Sequence, residues 1–246
     1  MTRYRVLAAA SLAGFVAIAL DVTHHGLFER HDARIGRWVV ANTPHAAVHA
    51  AEIVTQVGSW WALVLMAGAG AVALGLRGRR GDALLLAGAY ATVSLATNGL
   101  KRAFDRPRPS IGTSLLSFPS GHTSGATVVL VLLALFLGTR HRPALVAAAA
   151  LLAGLVGVTR VVVQAHWTTD VLAGYCLGGT VVASALLLRE RLSRGRQGPG
   201  LSLRPEREHD RRQSRHEEDD GAGRPLAEHR SHHLGPVPDL AEPRRR

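Results

Sequence analysis

Lys101 is the single lysine among the 29 lysine and arginine side chains of this 246-residue chain. It heads a cationic stretch, Lys101-Arg102-Ala103-Phe104-Asp105-Arg106-Pro107-Arg108-Pro109. Where arginine supplies almost all positive charge, one retained ammonium suggests a site that wants a compact point charge, as phosphate sites often do. Two more polar clusters follow. Pro119-Ser120-Gly121-His122 precedes an apolar run, and Arg160 ends another, with His166 and Asp170 just beyond it. Three cations, two imidazoles and a carboxylate are the inventory that phosphoryl transfer draws on.

Phosphomonoester cleavage is so slow without catalysis that acceleration can approach ~10²¹-fold, and most of it must come from positioned positive charge, a nucleophile and a leaving-group acid. Lys101, Arg108 and Arg160 supply the charge. The Ser120 hydroxyl and the amides near Gly121 add neutral donors, because a helix starting there would present its N-terminus to an anion. Each cluster alone also has a plainer reading. The Arg-Pro repeat reads as an extended linker, Pro-Ser-Gly-His is short enough to occur by chance, and His166 with Asp170 one turn later could be a capping pair. Arg160 is sharper, since a guanidinium at the edge of an apolar span is expensive. The order of the clusters, and their shared placement at span ends, argues for one site.

The elements that must position these residues are apolar runs too long for ordinary core helices: 6–20, 60–76, 83–100, 121–138, 144–163 and 171–188. A bilayer core takes about 20 residues at 1.5 Å rise, with tilt or flanking residues accommodating shorter runs. Their glycine and alanine content suits close packing in lipid, whereas a soluble bundle would show a charged face. The expected fold is therefore all-α: a six-span transmembrane bundle over 1–188, with its signature region at about 98–175. The first run, after Arg3 and Arg5, also resembles a signal peptide, but five spans follow and a retained anchor is the preferred reading. Cys176, the single cysteine, has no disulfide or metal partner and reads as packing.

Arginines orient the bundle. Arg3 and Arg5; Arg77, Arg79 and Arg80; Arg140 and Arg142; and Arg189, Arg191, Arg194 and Arg196 all fall on one side, expected to be cytoplasmic with both termini. The segment 101–120 places Lys101, Arg102, Arg106 and Arg108 on the other side against this rule, which calls for a compensating role. In loop 21–58, Phe28, Ile35, Trp38, Val39 and Val40 alternate with Arg30, Arg34 and Arg37, as in an interfacial helix that anchors to headgroups or acts as a lid. The stretch 189–246 mixes arginines, acids, histidines and prolines with almost no aromatics, and is expected to be a disordered cytoplasmic tail.

The three clusters resemble the signature of the type 2 phosphatidic acid phosphatase superfamily, the membrane lipid phosphate phosphatases, which also resembles glucose-6-phosphatase and vanadium haloperoxidases. Its K-x6-R-P block selects Lys101 with Arg108-Pro109 and leaves Arg106-Pro107 outside. Pro119-Ser120-Gly121-His122 matches P-S-G-H without deviation. In the third block, S-R-x5-H-x3-D, Thr159 replaces serine before Arg160, His166 and Asp170. The resemblance covers about residues 45–190. It implies His166 as the nucleophile forming a phosphohistidine, Asp170 holding its other ring nitrogen, and His122 as the acid and then the base. It implies Lys101, Arg108, Arg160, Ser120 and Gly121 as phosphate ligands, with no metal and no cofactor. Arg102, Asp105 and Arg106 match no signature position and read as loop structure or headgroup contact, and Asn98 as an interhelical hydrogen bond or an orienter of Lys101.

The expected activity is hydrolysis of a lipid phosphate or pyrophosphate at the extracytoplasmic face of the plasma membrane. Phosphatidic acid, phosphatidylglycerol phosphate, diacylglycerol pyrophosphate and polyprenyl pyrophosphate all present the same head. No nucleic-acid partner is expected, and the oligomeric state stays open. A phosphate-lipid binding protein or transporter lacking catalysis is the alternative, but it leaves His122, His166 and Asp170 superfluous, and transporters place charge nearer the midplane. Six spans argue against a haloperoxidase, and Lys101 and Arg160 argue against an intramembrane serine protease.

Overall fold

The computed structural model describes residues 2–109, 116–138 and 142–195. Among them the chain forms eight α-helices: α1 Thr2–Thr23, α2 Leu27–Asn42, α3 His45–Thr55, α4 Trp60–Leu76, α5 Arg80–Phe104, α6 Gly121–Leu137, α7 Arg142–Val162 and α8 Thr168–Gly195. A 3₁₀ turn, Gln56–Gly58, joins α3 to α4, and Ser59 caps α4 by accepting the Ala62 N–H at 3.4 Å.

α6 lies at the centre, packed against α4, α5, α7 and α8. Its inward residues Val128, Leu132 and Phe136 meet Leu74, Leu86, Val93, Val182 and Leu186 in one apolar cluster. Ala126 and Val129 join Leu63, Ala67, Ala153 and Val156 in another. The outer faces are also apolar: Leu65, Leu84, Leu95 and Leu151 are largely exposed. Helices apolar all round belong in lipid rather than water.

All six apolar runs are helical. Four of them, α1, α5, α7 and α8, are long and apolar enough to cross a membrane, and a fifth span forms if α3 and α4, bent by 43° at their junction, count together. α6 has only 17 residues, ~25 Å at 1.5 Å per residue, a little short of the hydrocarbon core.

α8 continues through Gly195, past residue 188 where the apolar run ends, because Arg189 is held by Asp82 of α5, with Nε to Oδ1 at 2.5 Å. The expected tail beyond residue 195 lies outside the described residues. Loop 21–58 is more ordered than a single surface helix: it carries both α2 and α3. α2 exposes Phe28, Trp38 and Val40 as the sequence suggests, but it buries Asp32 and Gly36.

The chain reverses sharply after α5. Asp105 takes the left-handed conformation, φ 44°, and donates its N–H to the Lys101 carbonyl at 3.0 Å. The Pro-Ser-Gly-His segment is fixed by its neighbour Phe118, fully buried with its ring centroid 4.6 Å from Phe104 of α5 and 5.9 Å from Phe15 of α1. These anchors bring the start of α6 beside the end of α5.

Candidate active site

Five chain segments meet at one end of the bundle. From the end of α5, Lys101 Nζ donates to the carbonyls of Leu116 at 3.0 Å and Ser117 at 3.3 Å. Arg108 Nε donates to the same Leu116 carbonyl at 3.3 Å, so one acceptor holds both cationic heads. Burial pushes the Arg108 guanidinium below its usual range, partly offset by the charge of Asp170.

Ser120 is the N-cap residue of α6, but its side chain makes no capping bond. Its hydroxyl instead accepts from Thr123 at 3.0 Å, and its N–H donates to the Asp170 carbonyl at 3.0 Å. A helix start without a side-chain cap leaves the first amides, Gly121 and His122 among them, for an external acceptor. Gly174 of α8 allows this approach: a Cβ there would lie 2.9 Å from the Ser120 carbonyl and 3.0 Å from Thr123 Cβ. Gly174→Ala is therefore expected to destabilise the bundle by ~1–3 kcal/mol through overpacking. Thermal unfolding in detergent checks it, and an unchanged midpoint would show that the contact relaxes elsewhere.

Arg160 closes α7. Its carbonyl accepts from the N–H groups of Ala165 at 3.0 Å and His166 at 3.1 Å, which pins the turn carrying His166. Its Nη1 donates to Thr55 Oγ1 of α3 at 3.0 Å. Among the described residues its Nε is buried and has no hydrogen-bond partner. A buried unsatisfied guanidinium N–H is costly, and an anionic oxygen would satisfy it.

His166 precedes α8 and is buried, with Nδ1 3.3 Å from Asp170 Oδ2. Burial is the largest influence on the ring and disfavours its charged form. Asp170 opposes this, and the result is a pKa of about 4. The ring is thus neutral at neutral pH. With Nδ1 turned to the carboxylate, Nε2 is left with a free lone pair. His122 packs on the 3₁₀ turn, where a Cβ on Gly58 would come within 3.2 Å of its Cβ. The charges of Arg160, Arg108 and Lys101 all reach it, and the His166 ring is close enough to add to them when protonated. Every site residue expected from the sequence lies in this one region.

Some assignments sharpen. Arg106 lies in the loop after α5, as expected, but it is not a headgroup contact. It is buried and donates from Nη1 to Asp170 Oδ1 and Thr169 Oγ1, both at 2.7 Å, and from Nη2 to Asp32 Oδ2 at 2.9 Å. Asn98 neither crosses helices nor orients Lys101; its amide donates to the Ser94 carbonyl within α5 at 2.9 Å. The Thr159 hydroxyl donates to the Val156 carbonyl at 2.7 Å, so the threonine that replaces serine spends it on its own helix. Sequence reasoning missed Asp32, Thr55 and Thr169. The available signal for Asp32 was a carboxylate one turn before Gly36, the one glycine inside α2.

A cavity of ≈ 160 Å³ opens beside Lys101 and His122, running between α4, α5 and α6 past Trp60, Tyr90, Ser94 and Asn98. Among the described residues, no three His, Cys, Asp or Glu side chains group as a metal ion would need.

Residues 82–194 match the PAP2 superfamily. The chain is 33% identical over 126 residues to phosphatidylglycerophosphatase B of Bacillus subtilis, covering 47% of this chain and 62% of that protein. It is 40% identical over 81 residues to a lipid A 1-phosphatase of Porphyromonas gingivalis, covering 33% of this chain and 18% of that one. The chain thus spans less than two thirds of either relative. The crystal structure of a transmembrane PAP2 type phosphatidylglycerolphosphate phosphatase from Bacillus subtilis superposes with a TM-score of 0.66 at 27% identity, over 78% of this chain and 98% of that one. With this neighbour and its own long apolar helices, the protein is an integral membrane protein. The resemblance carried by the three motifs thus has its counterpart in this match, which runs across the helices α5 to α8 that hold them.

Proposed function

We propose that this protein is an integral membrane phosphatase that hydrolyses lipid phosphates or pyrophosphates through a phosphohistidine, without a metal. The observation that carries the reading is Arg160: a buried guanidinium, its Nε unpartnered among the described residues, lies within electrostatic reach of His122 and carries the turn of His166 on its own carbonyl. A phosphoryl oxygen is the acceptor that this donor lacks. The names of the Bacillus and Porphyromonas relatives agree with the class of reaction.

The geometry supports a two-step mechanism. Lys101, Arg108, Arg160 and the first amides of α6 hold the phosphoryl oxygens and neutralise their charge. His166 Nε2 attacks phosphorus as the bond to the lipid oxygen breaks. His122 gives that oxygen a proton, so the lipid leaves as an alcohol or a shorter phosphate. Asp170 stabilises the charge that develops on the ring through Nδ1–H. His122, now a base, takes a proton from water, and the hydroxide displaces His166 to release phosphate. The cavity beside His122 would take the leaving group, since His122 stands where that oxygen must be protonated.

Six spans with the short α6 sheltered at the centre, both termini cytoplasmic and the site at the extracytoplasmic face of the plasma membrane complete the reading. The arginine distribution supports that orientation. Purified protein is expected to release phosphate from at least one of phosphatidylglycerol phosphate, phosphatidic acid, diacylglycerol pyrophosphate and polyprenyl pyrophosphate with EDTA present. Release abolished by the chelator would overturn the metal-free mechanism. Specific binding of all four without any release would favour the noncatalytic alternative.

A further inference from the structure

α2 is the element with the least evident purpose in a bundle of membrane helices, yet it delivers a buried carboxylate to the site. Asp32 is 3% exposed. It accepts from Arg106 Nη2 at 2.9 Å, from the Thr169 N–H at 3.1 Å and from the Thr169 hydroxyl. The Thr169 amide belongs to the first turn of α8, so Asp32 caps that helix from another segment of the chain, 137 positions away. Gly36, one turn later, brings α2 close to the loop before α8: a Cβ there would lie 3.4 Å from Gln164 Oε1 and 3.9 Å from the Trp167 ring.

Arg106 completes the link. Its guanidinium joins Asp32 to Asp170 Oδ1, leaving Asp170 Oδ2 to accept from the Trp167 N–H at 2.9 Å and to face His166 Nδ1 at 3.3 Å. The Trp167 indole in turn donates to the Pro107 carbonyl at 2.9 Å, fixing the segment that carries Arg106. Three contacts thereby fix the Asp170 carboxylate, two of them on the oxygen that faces the ring, and Asp32 is the anion that keeps Arg106 from drawing that carboxylate away from the ring.

We propose that Asp32 is a positioning residue: acting through Arg106 and Thr169, it orients the Asp170 carboxylate and so makes the surface helix α2 part of the phosphatase machinery. This rests on the function proposed above. Asp32 touches neither substrate nor reacting atoms, so its effect belongs in kcat and in the ionisation that kinetics report for His166 rather than in substrate affinity. The charged or titratable groups facing that ring are Lys101 of α5, His122 of α6, Arg160 of α7 and Asp170 of α8. Arg106 stands behind Asp170, flanked in turn by Asp32 at 2.9 Å and Glu29 at 3.7 Å.

Two charge-removing changes in this network have opposite signs. Asp32→Asn removes a negative charge and leaves Arg106 less compensated, which disfavours the imidazolium; the acid limb of kcat/KM moves to lower pH. Arg106→Gln removes the positive charge beside Asp170, and the limb moves to higher pH. The experiment measures kcat, KM and the pH profile of phosphate release from a phosphatidic acid analogue, in detergent, for both variants and for His166→Ala. The expected result is a kcat loss of ~10-fold or more for Asp32→Asn, with KM within about twofold, and limbs displaced in opposite directions. Limbs that stay fixed or move together would overturn the proposal, since a purely structural contact has no reason to produce signs that follow charge. Should Asp32→Asn fail to accumulate in membranes, Arg106→Gln alone decides, because an unmoved limb there breaks the link to Asp170. The underlying function fails separately, if wild-type protein releases no phosphate or His166→Ala retains turnover.

Discussion

Replacing His166 with alanine is expected to remove turnover by on the order of 10⁴-fold or more, the scale on which enzymes lose rate when a covalent nucleophile is deleted. The geometry gives the reason. The ring is buried, its Nδ1 is committed to Asp170, and its Nε2 is left with an unshared pair. Burial disfavours the imidazolium strongly enough to bring the pKa to about 4, so the attacking form predominates through the neutral range. The sign is plain: with a lowered pKa, the limb of kcat/KM that belongs to His166 should fall near 4, where protonation removes the attacking form. Phosphate release by the variant in membranes, with its insertion verified beside it, checks the first expectation. A pH profile of the wild type checks the second, and an acid limb near 6.5, the usual value for histidine, would show that the ring is more solvated than its burial implies.

Arg160→Ala is expected to cost ~10³-fold in kcat/KM, comparable to removing a preorganised oxyanion donor and larger where the donor is a full charge. Arg160→Lys should recover only a fraction of this. The guanidinium reaches Thr55 with Nη1 while Nε stays available, and a lysine ammonium cannot serve both directions as a planar fork. Thr55→Val separates positioning from charge: it frees Nη1 without removing the cation, and a loss of ~10-fold is expected. Steady-state kinetics on the three variants decide the matter. Activity in Arg160→Lys equal to wild type would mean that only charge, and not the fork, is used.

Much of this was legible because membranes and phosphate chemistry impose severe rules. An apolar run in a chain with this many arginines has few places to go, and all six runs are helices. Lys101, Arg108, His122, Arg160, His166 and Asp170 could be singled out because their types and spacing would serve one chemistry, and the fold brings them to one end of the bundle. What stayed hidden depends on tertiary choice of partner. Arg106 and Arg108 differ by two positions and sit in identical Arg-Pro pairs, yet one turns inward to two carboxylates while the other shares the Leu116 carbonyl with Lys101. Spacing from Lys101 singles out Arg108, but no local rule gives Arg106 its partners. Asp32 and Thr55 lie 74 and 105 positions from the arginines that they hold, so only the packing of α2 and α3 over the bundle reveals them. The extension of α8 to Gly195 was hidden in a different way. A basic segment reads as the end of a span, but the Arg189–Asp82 pair lets the helix continue with its charges at the bundle end.

Rapid-quench trapping is the most direct test of the central claim, that one phosphoryl group is passed to the His166 ring. Protein mixed with a phosphatidic acid analogue carrying radiolabelled phosphate, then denatured in alkali, should hold label that survives base and is lost in acid. Peptide mapping should place it on His166, and His166→Ala should take up none. Label found on Ser120 or any other side chain, or hydrolysis with inversion at a chiral phosphorus where a double displacement must give retention, would contradict the account.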